Sequence, residues 1–283
     1  MAKLAHLLVL LSVASAYITM PWPTPSKTPL SLTMGYGTVK STGTVFVWYS
    51  AFLDDLSRYS QVLPTGGCSK RGPTTATANL HGCTVAANSG YFKFSPSPTF
   101  CTGNLVVNST VPQWLDDTLP MIATTANATL LGALTRAQVT SLGVVHGVSG
   151  SALIQLDGRP SAQGLAASAA YIRALRPQAE EVAPRTLLTV DALGAYRLLT
   201  IDGVEALNLG VTMPEAAEIV SGGATGFPFA SLHAINLDGG GSTTLSAVPG
   251  LTPGGTAQVF NRPTDTDVGP ITERDVTSVV CFK

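Results

Sequence analysis

The chain is poor in charge. Its 283 residues hold 16 Lys and Arg against 17 Asp and Glu, a net charge of −1. No basic run stands along it, which removes the electrostatic footprint of a nucleic-acid binder. Histidine is scarce, at 4 residues, and no two cysteines have CxxC spacing, so a zinc site lacks its usual ligand pattern. Long apolar runs are missing as well: beyond the leucine-rich start, nothing approaches the roughly 18 apolar residues of a membrane helix. A chain that is 45% hydrophobic and has none of these features is expected to bury a sizeable core and to meet a neutral or small partner.

The opening MAKLAHLLVLLSVASA places Lys3 before an apolar run and ends in Ala14, Ser15 and Ala16, the pattern of a cleaved signal peptide over residues 1–16. Residues 17–29 are proline-rich and read as an exposed N-terminal arm without regular structure. From 30 to 283 the pattern predicts one α+β domain, a single mixed-sheet unit with a few helices. Short β-branched and aromatic runs mark its strands: TVFVWYSAF, CTVAAN, NLVVN, MIATT, ALIQLDG, RTLLTV, YRLLTID, LHAINLD and VTSVVCF. LLTVDALGAYRLLTID reads as a hairpin turning at Gly194. VTMPEAAEIVSGG is the clearest helix, with Thr212 and Glu215 as a capping box and Pro214 in the first turn.

Four cysteines, Cys68, Cys83, Cys101 and Cys281, suit two disulfides in an exported or lumenal chain. Three connectivities are open to them. Asn108 and Asn127 begin Asn-x-Thr/Ser triplets, glycosylation acceptors expected on the surface.

One stretch carries most of the chemistry. HAINLDGGGSTTL drops from an apolar strand into Asp238, then Gly239, Gly240 and Gly241, then Ser242, Thr243 and Thr244. Successive glycines cost backbone entropy without adding packing, so they mark a place where something approaches the main chain. The hydroxyls suit phosphate or sugar oxygens. A structural turn with an Asp cap is the plainer alternative. In ANSGYFKF, Asn88 ends a strand, Gly90 permits a bend, and Tyr91 and Phe92 offer faces to a sugar ring. A buried aromatic turn explains the same residues. Arg185, after a proline, is suited to clamp a phosphate, although surface ion pairs are the commoner fate of arginine. HGVSGSA misses the serine-hydrolase elbow at its last position, and His81, His146 and His233 read as structural.

In order along the chain, GGCSKRG, CTVAANSGYF, FCTGNLVVN, APRTLLTVD, LLTIDG, GVTMPEAAEIV, AINLDGGGSTTL, NRPTD and VTSVVCF resemble the phosphodiester glycosidase family, from about Gly66 to Phe282. The resemblance implies a pocket lined by Asp238 to Ser242, Asn88 to Phe92, Gly103 and Asn104, and Arg185 and Thr186. It also implies the pairing Cys68 with Cys101 and Cys83 with Cys281. The activity implied is release of an N-acetylglucosamine-like sugar from a sugar-1-phosphodiester, such as a capped mannose 6-phosphate glycan. On this view Asp238 is base or nucleophile, Arg185 and the Gly239 to Gly241 amides hold the phosphate, Asn88 orients the sugar, and Asp202 is a reserve second carboxylate. Thr186 and Thr243 complete the binding set, with no cofactor or metal implied and no oligomeric state assigned. A non-catalytic secreted protein that binds a glycan or sugar phosphate is the alternative.

Overall fold

The computed structural model describes residues 17–22, 30–95, 99–175, 182–265 and 272–283. The expected leader, 1–16, and residues 23–29 of the arm lie outside the described residues. The start of the arm departs from expectation: Tyr17–Pro21 is a strand, paired antiparallel with Ala128–Ala133 at the edge of a sheet. Pro21 stands at the last position of this edge strand, where proline is tolerated. The alternation that outweighs the proline signal is apolar, since Ile18 and Met20 both pack against the core.

The α+β class holds, with two disulfides and helices subordinate to strands. All nine strand runs named from the sequence contain strands. Among the described residues the strands form sheets of six, eight and five. Ladders between them are antiparallel, and the parallel contact is an isolated Thr264–Thr272 bridge. At the centre of the eight-stranded sheet lie Ala152–Leu156, His233–Asn236, Arg185–Val190, Tyr196–Ile201, Val45–Leu53 and Ser31–Val39, in that spatial order.

Strand alternation sends neighbouring residues of this sheet into different cores. Leu187, Leu199, Ile201 and Trp48 pack with Ala216, Ala217 and Ile219 of the Met213–Val220 helix. Leu188, Leu198, Ala51 and Leu53 face the other way, against Val85, Val280 and Phe282 of the five-stranded sheet and Leu105 and Ile122 of the six-stranded one. The site-bearing sheet is thus packed on both faces, and its strand ends are where chemistry has room.

Ser31–Val39 was not among the runs legible as strands, because Gly35 and Gly37 interrupt its pattern. Their cross-strand partners explain them. Gly35 lies opposite Trp48 and Gly37 opposite Phe46, and a Cβ at either position would come within 2.8 Å or 2.7 Å of the partner's ring. The aromatic side chains fill the space that the glycines leave.

The helix Met213–Val220 carries the expected capping box, with Thr212 Oγ1 accepting from the Glu215 amide and a Glu215 carboxylate oxygen accepting from the Thr212 amide. It links Tyr196–Ile201 to His233–Asn236, but these strands are not neighbours: Arg185–Val190 lies between them, antiparallel to both. Disulfides join Cys68 to Cys101 and Cys83 to Cys281. The second spans 198 residues of sequence and fastens the final strand, Val279–Phe282, beside the strand that ends at Asn88.

Candidate active site

Asp238 follows the His233–Asn236 strand, and its backbone is held on both sides. Leu237 N donates to Thr186 O, Asp238 N to Ser89 O and Gly240 N to Pro184 O, each at 2.9 Å. Asn88 completes the hold. Its Nδ2 donates to Asp238 O at 2.6 Å, while its Oδ1 accepts from Thr186 Oγ1 at 2.8 Å and from Thr244 N at 3.0 Å. This fully buried amide therefore joins the eight-stranded and five-stranded sheets at one point. Its oxygen is spent on two protein donors, and its Nδ2 holds the Asp238 main chain.

Each glycine of the turn has a different close neighbour. A Cβ on Gly239 would lie 2.8 Å from Pro184 O. Gly240 has φ +60, in the left-handed region, and a Cβ there would lie 2.5 Å from Glu205 Oε2. On Gly241 it would meet Arg274 Nη2 at 2.3 Å and Thr264 O at 3.1 Å. The stripped backbone is thus the surface on which a carboxylate and a guanidinium converge. Neither Glu205 nor Arg274 was among the site residues read from the sequence. Arg274 is in fact buried, its Nε donating to Asp265 Oδ1 at 2.6 Å and its Nη2 to Asp265 O at 2.9 Å. The expected cradle of three amides is corrected at Gly240, whose N–H already serves Pro184 O.

Asp202 stands behind the turn. Its Oδ1 accepts from Asn261 Nδ2 at 2.8 Å and its Oδ2 from Arg262 N at 3.1 Å. Asn261 in turn donates to Thr243 O at 3.0 Å and accepts from Leu245 N at 2.7 Å. Burial raises the Asp202 pKa, and these donors, with the Tyr49 hydroxyl, oppose the rise. The same burial, reinforced by Asp202, raises the Tyr49 phenol. As the second carboxylate Asp202 is committed to this support, whereas Glu205 lies directly on the turn.

Arg185 is buried beside Gly239 and donates from Nε to Val211 O at 3.1 Å. Tyr91 comes to the site strand, its hydroxyl accepting from Asn236 Nδ2 at 2.8 Å, while Gly90 N donates to Ser278 Oγ at 2.9 Å. Phe92 belongs to a neighbouring aromatic group, with its ring 5.5 Å from that of Phe94 and 5.5 Å from the Arg71 guanidinium carbon. Gly103 has φ +82. Asn104 is used within the protein: Oδ1 accepts from Leu115 N and Asp116 N, and Nδ2 donates to Asp116 O at 2.6 Å. These two residues shape an adjoining loop. Ser242 and Thr243 are buried in the turn.

The histidines take structural positions, as read from the sequence. His81 bonds Leu63 O at 2.7 Å, and His146 and His233 accept at Nδ1 from the amides of Asn108 and Asp157. No group of three or more His, Cys, Asp or Glu side chains among the described residues converges as a metal site.

The α+β fold thus holds an aspartate at a strand end, on a glycine turn flanked by a guanidinium and a carboxylate. Among known proteins, the phosphodiester glycosidase family model matches residues 81–283, and the chain belongs to that family. A catalytic domain of zebrafish N-acetylglucosamine-1-phosphodiester alpha-N-acetylglucosaminidase, auto-inhibited by its pro-peptide, shares the fold with TM-score 0.75 and 20% identity. The match covers 94% of this chain and 87% of that one. A hypothetical protein from Synechocystis gives TM-score 0.61 at 14% identity, covering 90% and 64% of the two chains. A putative exported protein from Burkholderia pseudomallei gives TM-score 0.52 at 14% identity, covering 86% and 75%. No curated protein sequence matches the chain.

Proposed function

We propose that the protein is a hydrolase that releases a sugar from a sugar-1-phosphodiester by breaking the bond between the anomeric carbon and the phosphate oxygen. The observation that carries this reading is the glycine turn, where Asp238 is held by its main chain while Glu205 and Arg274 press on Gly240 and Gly241. Arg185 and Arg274 bind the phosphate, and Asp238 serves as base for water or as nucleophile toward the anomeric carbon. Water supplies the hydroxyl of the freed sugar, and the phosphate leaves as a monoester. Because that leaving group is already good, strong acid assistance is unnecessary, and one reacting carboxylate suffices. The family and the zebrafish relative support an N-acetylglucosamine-like sugar.

Export fits the same reading. Two disulfides suit an oxidising compartment, Asn108 and Asn127 are exposed as glycan acceptors must be, and no helix among the described residues is long and apolar enough to cross a membrane.

The test is incubation of the disulfide-intact protein with a panel of sugar-1-phosphodiesters, following free sugar and phosphomonoester by mass spectrometry. Release by the native chain, with Asp238→Asn folded and inert, is the expected result. Saturable binding without product from the native chain would overturn hydrolysis in favour of the binding-protein alternative.

A further inference from the structure

The hairpin of Arg185–Val190 and Tyr196–Ile201 has the Asp238 turn at one end and a separate cleft, of about 240 Å³, at the other. Thr189, Arg197 and Phe52 stand in a row across three neighbouring strands, so their side chains share one face of the sheet and line the cleft. Asp191, from the hairpin turn, and Phe229 and Ser231, from the segment before His233–Asn236, complete its polar and aromatic lining. The space is below the roughly 300–1,000 Å³ of pockets for drug-sized molecules, so its occupant is small.

The lining holds charges that the protein does not pair. The Arg197 guanidinium carbon lies 3.4 Å from the Phe229 ring centroid and 5.1 Å from that of Phe52, and Nη1 donates to Ser50 Oγ at 3.1 Å. Among the described residues the guanidinium makes no other hydrogen bond and no ion pair. Aromatic rings thus hold its faces and leave an N–H edge open, the geometry for bidentate contact with a carboxylate. Asp191 is the counterpart. Its Oδ1 accepts from Leu193 N at 2.8 Å and Ala195 N at 2.9 Å, which fixes the carboxylate, while Oδ2 has no protein donor among the described residues. The Asp191 charge acts on Arg197, but from beyond ion-pair distance. Thr189 and Ser231, 1% and 8% exposed, have hydroxyls with no hydrogen-bond partner among the described residues.

These groups select a ligand by charge. One guanidinium and one carboxylate leave the lining neutral, which disfavours a phosphate or another dianion. A gap between unpaired opposite charges is bridged by a molecule that carries a carboxylate and an ammonium side by side. The two hydroxyls offer the carboxylate further donors, and the Phe52 ring offers a side chain an apolar wall. We propose that this cleft is a binding site for a free α-amino acid, with Arg197 holding its carboxylate and Asp191 its ammonium. The site lies away from the Asp238 turn and does not depend on the phosphodiester reading.

Titration calorimetry of the intact protein tests it, with glycine, L-alanine, L-serine and L-leucine as probes. At least one is expected to bind at a single site per chain. Its N-acetyl and amide derivatives, each lacking one of the two charges, are expected to bind about tenfold more weakly or not at all. Asp191→Asn and Arg197→Gln should each weaken the amino acid by about tenfold, whereas Asp238→Asn should leave its affinity unchanged and inorganic phosphate should not displace it. Thermal unfolding checks that each variant is folded, and the derivative comparison decides the matter on the native chain even where a substitution unfolds it. The proposal is overturned if none of these amino acids binds, or if a derivative binds as tightly as its parent. Displacement by phosphate, affinity that survives both Asp191→Asn and Arg197→Gln in folded protein, or affinity lost in Asp238→Asn would overturn it equally.

Discussion

The hairpin of Arg185–Val190 and Tyr196–Ile201 presents an arginine near each end, and the two ends use it differently. At the turn end, Arg197 lies 3.4 Å from the Phe229 ring centroid and 5.1 Å from that of Phe52, and its Nη1 donates to Ser50 Oγ at 3.1 Å. Burial among these groups pulls its pKa down to about 10. A cleft of about 240 Å³ adjoins it, but aromatic faces already engage the guanidinium. At the other end Arg185 meets a turn stripped of side chains, where main-chain bonds and Asn88 hold Asp238 and where Glu205 and Arg274 converge. What distinguishes the end proposed as active is that glycine lets opposite charges reach a backbone immobilised by two sheets.

The most direct way to break this contrast is to refill the turn. Gly241→Ala would push its Cβ into the Arg274 guanidinium and Thr264 O, and kcat/KM for a sugar-1-phosphodiester is expected to fall about 100-fold, as for other misplacements of about 1 Å. Gly43→Ala is the companion: unlike Gly241, that glycine has a positive φ, and it has no neighbour within 4 Å, so it tests backbone strain without a clash. Equal losses in the two variants would show that the charges on the turn do not matter.

A smaller effect is expected at the opposite end. Arg197→Gln removes the contacts with Phe52 and Phe229 and should cost about 1 kcal/mol of stability in denaturant unfolding, with kcat/KM staying within about twofold. A large catalytic loss would erase the distinction between the ends.

The smallest effect is a difference in pH response. His233, paired with Val190 at the hairpin-turn end, has its pKa lowered by burial, with Asp157 opposing. The folded state then binds this proton less readily than the unfolded chain, so stability is full above about pH 6.5 and is lost as pH falls toward the lower folded value. Asp202, near the Asp238 turn, is shifted upward by burial and contributes with the opposite sign, since its folded state holds a proton more readily. His146, lowered to about 4 by burial and then by Lys283, adds to the acid loss and remains in both proteins compared. Tm measured between pH 7 and pH 5 should therefore fall less steeply in His233→Gln than in the native chain; parallel slopes would contradict the shift.

Much of the strand content was legible, because strands buried on both faces read as short β-branched and aromatic runs. The Ser31–Val39 strand was not, since the reason for its glycines lies on the neighbouring strand, in Trp48 and Phe46. Tyr17–Pro21 was lost to its proline-rich continuation. At the site, Asp238 and its glycines stood out locally, whereas the inward hydrogen bonds of Asn88 and Asn104 did not. An amide side chain has the same composition whether it faces a ligand or the protein.

The order of residues alone specified the α+β class, the capped Met213–Val220 helix, the turn at Asp238 and the family, because each depends on neighbours a few residues apart or on motifs in order. Tertiary structure decided that Glu205 and Arg274 meet that turn, that Asn88 faces inward, and that Asp202 stands behind Asn261. Those outcomes rest on contacts between segments far apart in sequence. They are set by how the sheets pack at their strand ends, which local patterning does not encode.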